Sequence, residues 1–294
     1  GFMFRSAFFA GLLGLSPVNG CPGANGGSST GSGGSAQIPS QCSVDDLLDE
    51  ARGYNVVTTD DYISGYSDAE GTVAVGGDFD IHSYSIGVVD PGTSVVMGDF
   101  TLYQGSVDWQ IIVGGTWSVT LGSGSVSAGT PVDFVGLAND LEDASWELDA
   151  FDDNGLADLD SGTLTLSGTE STLNVFQVTT QMLEDAGEVS IDIPAGSAGL
   201  IKVSGTSLDW YAVGFDLQGA EAEDLFWSMP EVTDLSMEAI GVQGTVLAPL
   251  AELDFDDGQL NGHLFVDTFN GDGMDDGLPD GQINHRPFDH LFCP

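Results

Sequence analysis

The residues best equipped for chemistry in this chain are its carboxylates. There are 46 Asp and Glu against 4 Lys and Arg, a formal net charge of -42. Two acidic loops have the make-up of a calcium cage, which gathers several hard oxygens around a tight turn. In the first, Asn270, Asp272 and Asp276 fall near the first, third and seventh positions, with Gly273 at the turn. Thr268 stands where a leading Asp belongs, and no Glu closes the loop. In the second, Asp152, Asp153 and Asn154 precede Gly155, with Asp158 and Asp160 behind. Either loop also reads as a solvated turn of an acidic protein. With so many carboxylates, some pair falls within catalytic range by chance, so paired Asp carries no enzymatic signal. The four histidines, His82, His263, His285 and His290, form no His-Glu-x-x-His. His285 and His290 read as a surface tail, with a metal or acid–base role as the alternative. There is no serine nucleophile elbow and no phosphate-binding glycine loop. A lyase acting on acidic sugars needs cations for the developing anion, and only Lys202 and Arg286 lie in the later body of the chain. The scarcity of Lys and Arg excludes nucleic acid, and an anionic membrane surface repels such a domain.

The elements that would position these groups begin after a targeting segment. Residues 1–20 read as a signal peptide: Arg5 supplies a positive start, and an apolar run from Ala7 to Leu15 is too short to span a bilayer. Val18, Asn19, Gly20 and Cys21 resemble the bacterial lipoprotein box, with Asn19 departing from its usual small residue, so Cys21 is a lipidation candidate; ordinary secretory cleavage near Gly20 is the alternative. Residues 21–41 form a Gly- and Ser-rich linker, and residues 42–294 form the folded domain. Cys42 and Cys293 are then the two cysteines left, one at each end of it. A bridge between them would stabilise by about 4–5 kcal/mol in the chain-entropy model, and an oxidising exterior favours it over two free thiols. No Cys-x-x-Cys pair suggests zinc.

A repeat organises the domain. Val242, Gly244, Val246 and Ala248 are echoed by Leu260, Gly262, Leu264 and Val266, 18 residues on. Earlier, Gly77, Gly98 and Gly115 each precede a pair of apolar residues separated by one small or polar residue, at steps of 21 and 17. Strand periodicity behind a glycine corner, at a fixed step, predicts stacked coils. The fold expected is mostly β, a right-handed parallel β-solenoid (β-helix), with a β-sandwich as the alternative. One long flanking α-helix is expected over about 131–150, with Thr130 as N-cap, Pro131 in the first turn and Asp133 as acidic capping residue. A short helix is expected from Ser43, stopped at Gly53.

On Tyr54 to Val56, Ser67 to Phe79, Ser83 to Gly87, Gly162 to Gly168, Leu173 to Phe176, Gly244 to Ala251 and Leu260 to Gly262, in that order, the chain resembles the bacterial choice-of-anchor A family over about residues 53 to 292. That resemblance implies a secreted cell-surface domain held by its host's anchor, some members carrying an adhesin or collagen-binding label, and it brings no catalytic residues. Residues 287–294 have no apolar span, which leaves Cys21 as the expected anchor. A helix beside a β-solenoid is also similar, at the level of fold, to ice-binding solenoid proteins. Thr163, Thr165 and Ser167 alternate along one strand, though no long Thr column recurs rung after rung.

The expected function is therefore non-catalytic adhesion outside the cell, from an outer-membrane lipoprotein or a secreted protein, to a matrix protein or glycan, with a membrane contacted only through an N-terminal lipid. An extracellular polysaccharide-acting enzyme and an ice-interacting or structural surface protein are the alternatives. Calcium is the one cofactor the composition suggests. In a lipoprotein-processing host the protein should partition into detergent and the Cys21→Ser variant should not; equal partitioning would refute the lipid anchor.

Overall fold

The structure is a computed structural model, and it describes residues 47–48, 50–271 and 279–290. Leu47 and Leu48 are helical, and a 3-10 turn covers Ala51–Gly53. The first strands are β1 (Val56–Thr58), β2 (Tyr62–Gly65), β3 (Asp68–Ala69), β4 (Val73–Val75), β5 (Phe79–Ile86), β6 (Gly92–Val96), β7 (Phe100–Val113) and β8 (Trp117–Ala128). Helix α1 (Phe134–Asp149) follows, then β9 (Leu156–Asp160), β10 (Thr163–Ser167), β11 (Leu173–Thr179) and the short α2 (Thr180–Glu184). Next come β12 (Glu188–Asp192), β13 (Ala198–Ser204), β14 (Ser207–Tyr211), β15 (Gly214–Gln218), β16 (Leu225–Ser228) and β17 (Asp234–Glu238). The last are β18 (Gly241–Gln243), β19 (Thr245–Asp256), β20 (Gln259–Asn261), β21 (Leu264–Asn270) and β22 (Gln282–Asn284).

Among the described residues every strand pairs in parallel except β9 with β10. A sandwich would be built from antiparallel pairs; these are solenoid rungs. The steps seen in the sequence are the registers of the pairs. Val246 lies beside Leu264 and Val242 beside Leu260. Phe79 lies beside Phe100, and Phe100 beside Trp117.

The stacking order is not the chain order. β1 lies between β21 and β4, with Val56 beside both Leu264 and Val73. The first rungs of the chain thus continue the stack below its last ones. β8 is the lowest rung, and it pairs only with β7 among the described residues. From there α1 carries the chain back along one side.

Inside, like side chains stack in register. One column runs Leu208, Leu235, Leu253, Phe269, Tyr62, Phe79, Phe100, Trp117. The Tyr62 ring stacks on Phe269 at 4.4 Å and meets Phe79 edge-on at 4.8 Å, geometries that add to the area they bury. The Tyr62 and Tyr84 hydroxyls, both buried, satisfy one another at 2.7 Å.

The corners use two devices. At one, glycine is required for room: a Cβ on Gly98 would fall on the Gly77 carbonyl and the Asp78 carboxylate. Those carboxylates form a ladder. Asp61 accepts the Asp78 N–H at 2.7 Å, Asp78 that of Asp99 at 2.7 Å, and Asp99 that of Thr116 at 2.6 Å. At the next corner the chain bends through positive φ on ordinary residues, Tyr66, Ser83, Gln104 and Leu121, again spaced by 17, 21 and 17.

Helix α1 starts at Phe134, not at 131. Its N-cap is Asp133, whose carboxylate accepts the Gly136 N–H at 3.2 Å, so Thr130 and Pro131 belong to the preceding turn. Its buried stripe of Leu137, Leu141, Ala144 and Leu148 packs in one cluster with Val57, Ala74, Leu247 and Phe265, which point outward from this side of the solenoid. Lys202, only 5% exposed, closes its far end. Its ammonium donates to the carbonyls of Asp149 (3.2 Å) and Phe151 (2.6 Å) and pairs with Asp153 at 2.8 Å. A cation there opposes the partial negative charge of a helix C-terminus. Lys202→Met should keep the stem's packing and lose these bonds, lowering stability by about 1–3 kcal/mol. The test is urea unfolding followed by circular dichroism; an unchanged midpoint would show that the cap is dispensable.

Candidate binding face

With α1 on one side, a second side of the solenoid stays open. It is built from β14, β17, the second half of β19, the end of β21, β2, and the first parts of β5, β7 and β8. Eight strands about 4.8 Å apart make a face about 34 Å long. A central outward row runs Asp209, Ser236, Asp254, Asn270, Ile63, Asp80, Thr101, Ser118. One end of the face is carboxylate-rich, with Glu238, Glu252 and Asp254 exposed. The other end is uncharged, with Thr101, Ser118 and Thr120 exposed.

Between them lies an aromatic strip. His82 stacks on Tyr103 at 5.0 Å and 11°, and Tyr66 meets His82 edge-on at 5.0 Å. Tyr66 and Tyr103 are 46% and 43% exposed, so their rings are available. Tyr66 also lines an open groove of about 700 Å³ with Asp68, Ser83, Asp257, Gln259 and Gln282. Two of the groove residues, Gln259 and Gln282, belong to an amide ladder. Asn284 donates to Gln259 (3.1 Å) and Asn261 (2.8 Å), and Gln282 donates to Asn284 (2.8 Å). One buried Asp68 oxygen has no hydrogen-bond partner. Burial, with Glu70 adding to it, holds this carboxyl above the usual range, while a hydrogen bond from Gln282 acts in the opposite sense.

The residues singled out in the sequence are dispersed. Cys21, Cys42, Cys293, Asp272 and Asp276 lie outside the described residues. Asn270 ends β21 and donates to Asp254 at 3.1 Å. Asp152 is exposed. The Asn154 amide is engaged with the backbone of β11, accepting from Val175 N–H at 2.7 Å and donating to the Leu173 carbonyl at 3.1 Å. Lys202 is the helix cap, and Arg286 lies 3.9 Å from Glu223. Three histidines gather at the covered side. The His263 imidazole is buried beside His285, 5.0 Å between centroids, and burial first, then His285 and Arg52, pushes it down to about 3. His290 meets Asp224 at 2.5 Å. His82 alone reaches the open face. Its place was recoverable, since the 17- and 21-residue steps, applied five residues past each corner glycine, put His82 beside Tyr103.

The structure is thus a parallel solenoid with one side covered by a helix and another facing solvent. Residues 47–275 match the family described as "Putative Ice-binding-like adhesive domain", and the chain belongs to that family. The match shows this family and not the choice-of-anchor A family whose motifs the sequence resembles. Among solved structures the chain is similar to an ice-binding protein from an Antarctic ascomycete, Antarctomyces psychrotrophicus, with 15% identity, 81% of this chain and 96% of that one covered, and a TM-score of 0.43. It is also similar to an ice-binding protein from an Antarctic Biological Consortium, with 16% identity, coverage of 88% and 96%, and a TM-score of 0.32. No curated protein matches.

Asp68 gives the groove a pH signature. A carboxyl whose folded pKa is raised favours folding when protonated, so its contribution is present at low pH and lost as pH rises through the folded value. Asp68→Asn should therefore raise the melting temperature at pH 7, with the two proteins converging below about pH 3.9, the ordinary Asp value. A gain that persists at pH 3 would assign it to another cause.

Proposed function

We propose that the domain is a non-catalytic adhesin that acts outside the cell and holds a glycan along the Tyr66–His82–Tyr103 strip and its groove. The observation that carries this reading is the exposed aromatic strip with carboxylates and amides beside it. The apolar face of a sugar ring buries area against such rings, while Asp68, Asp80, Gln259 and Gln282 supply acceptors and donors for hydroxyls. The cations that a polysaccharide lyase would use are engaged in structure: Lys202 caps α1, and Arg286 pairs with Glu223. Export and tethering through Cys21 and the linker at 21–41 belong to the same proposal. So does calcium at Asn270, Asp272 and Asp276, of which Asn270 meets Asp254 at the acidic end of the face.

A second reading, ice contact, is favoured by the uncharged hydroxyl rungs Thr101, Ser118 and Thr120 and by the family's description. The two separate in one experiment. The protein is run in native gels containing soluble polysaccharides and is also offered to slowly growing ice. On the glycan reading it is retarded by at least one polysaccharide, Tyr66→Ala with Tyr103→Ala weakens that about tenfold, or about 1.4 kcal/mol, and ice excludes it. Incorporation into ice without retardation would replace the glycan reading by the ice one. Neither response would remove both.

A further inference from the structure

We infer that two copies of this chain join end to end through β8. Among the described residues the solenoid's inward columns end there without a covering strand. Trp117, Val119 and Val126 continue the rows of Phe100, Leu102 and Ile111. Those upper residues are fully buried, whereas Trp117 is 46% and Val119 38% exposed, and Leu121 at the neighbouring corner is 73% exposed. Beyond β7, no described strand pairs with β8, so one edge of a 12-residue strand presents its N–H and C=O groups to solvent.

Exposed edges are normally blunted by charge, proline, a bulge or a covering element. β8 contains no charged residue and no proline. From residue 109 to 132 there is no charge at all, in a chain of net -42. A second copy would be repelled from the carboxylate-rich surfaces, and this neutral end is where that repulsion is least. Shape selects the same partner. A rung that bends through successive corners is continued on all its sides only by another solenoid end, and a two-fold axis presents β8 to β8. Such a contact is self-complementary and closes at two copies.

The test is sedimentation velocity of the full chain from about 1 to 100 µM in about 1 M NaCl, where the screening length is about 3 Å. A reversible dimer and nothing larger is expected. Leu121→Asp, at a left-handed position that Asp tolerates better than Leu, and Ser125→Glu should each weaken it at least tenfold. Leu250→Glu, several rungs away, should not. In the unmodified protein, hydrogen exchange of β8 amides should slow as concentration rises, a readout that needs no variant to fold. A monomer at every concentration, a dimer indifferent to both β8 variants, open-ended assemblies, or β8 exchange independent of concentration would each overturn the proposal.

Discussion

The approach of one rung to the next at the glycine corner is the constraint on which the rest of the structure depends. Parallel rungs about 4.8 Å apart leave no room for a Cβ where the Gly98 backbone crosses the Gly77 carbonyl, or where Gly262 crosses that of Gly244. Once these crossings are made, register is set, and side chains of like character fall into columns. The interior then fills with stacked rings and branched aliphatics, and every outward row inherits the same period. The regular rows of the open face are thus a consequence of the core and need no separate explanation.

The charge of the chain is reconciled with this packing by spending some carboxylates on backbone donors. Asp61, Asp78 and Asp99 each accept the N–H of the next rung. Hydrogen bonds to a charged acceptor are the stronger kind, so the ladder ties together the rungs whose acidic surface would repel them. The scarce cations are placed with equal economy. Lys202 closes α1, and Arg286, with His285 and His290, holds the segment 285–290 against the covered side through Glu223, Asp90 and Asp224.

Much of this was legible in the sequence, for a physical reason. Glycine corners and alternating apolar residues are local, and their spacing is the rung length, so the 17-, 18- and 21-residue steps gave registers directly. The helix was legible from its stripe, though not its start: Thr130, Pro131 and Asp133 all suit a helix entrance, and only the Asp133 bond to Gly136 decides between them. The stacking order was not legible. Pairing β21 on β1 joins residues about two hundred apart, and no local pattern announces a contact between segments each of which could pair with any similar rung. The left-handed corner was hidden too, because Tyr66, Ser83, Gln104 and Leu121 are not residues that advertise positive φ. They adopt it because the corner is imposed by the rungs above and below, which is tertiary structure overriding local preference.

That override bears on the site. Tyr66 takes its left-handed backbone at the corner where the open face meets the groove, and a residue held so costs of order 1–3 kcal/mol unless its surroundings determine it. Here they do: the Tyr66 N–H donates to the His82 carbonyl at 2.9 Å, and its ring rests on the His82 imidazole, itself stacked on Tyr103. The strip is therefore held from both backbone and ring. On the proposed glycan reading, a rigid surface loses little freedom when it meets an extended chain of sugars, so weak contacts to its individual units are not offset by ordering of the protein. The same rigidity explains why aromatic residues can stand exposed on this face without collapsing into the core: the interior columns beneath them are already filled by Tyr62, Phe79 and Phe100.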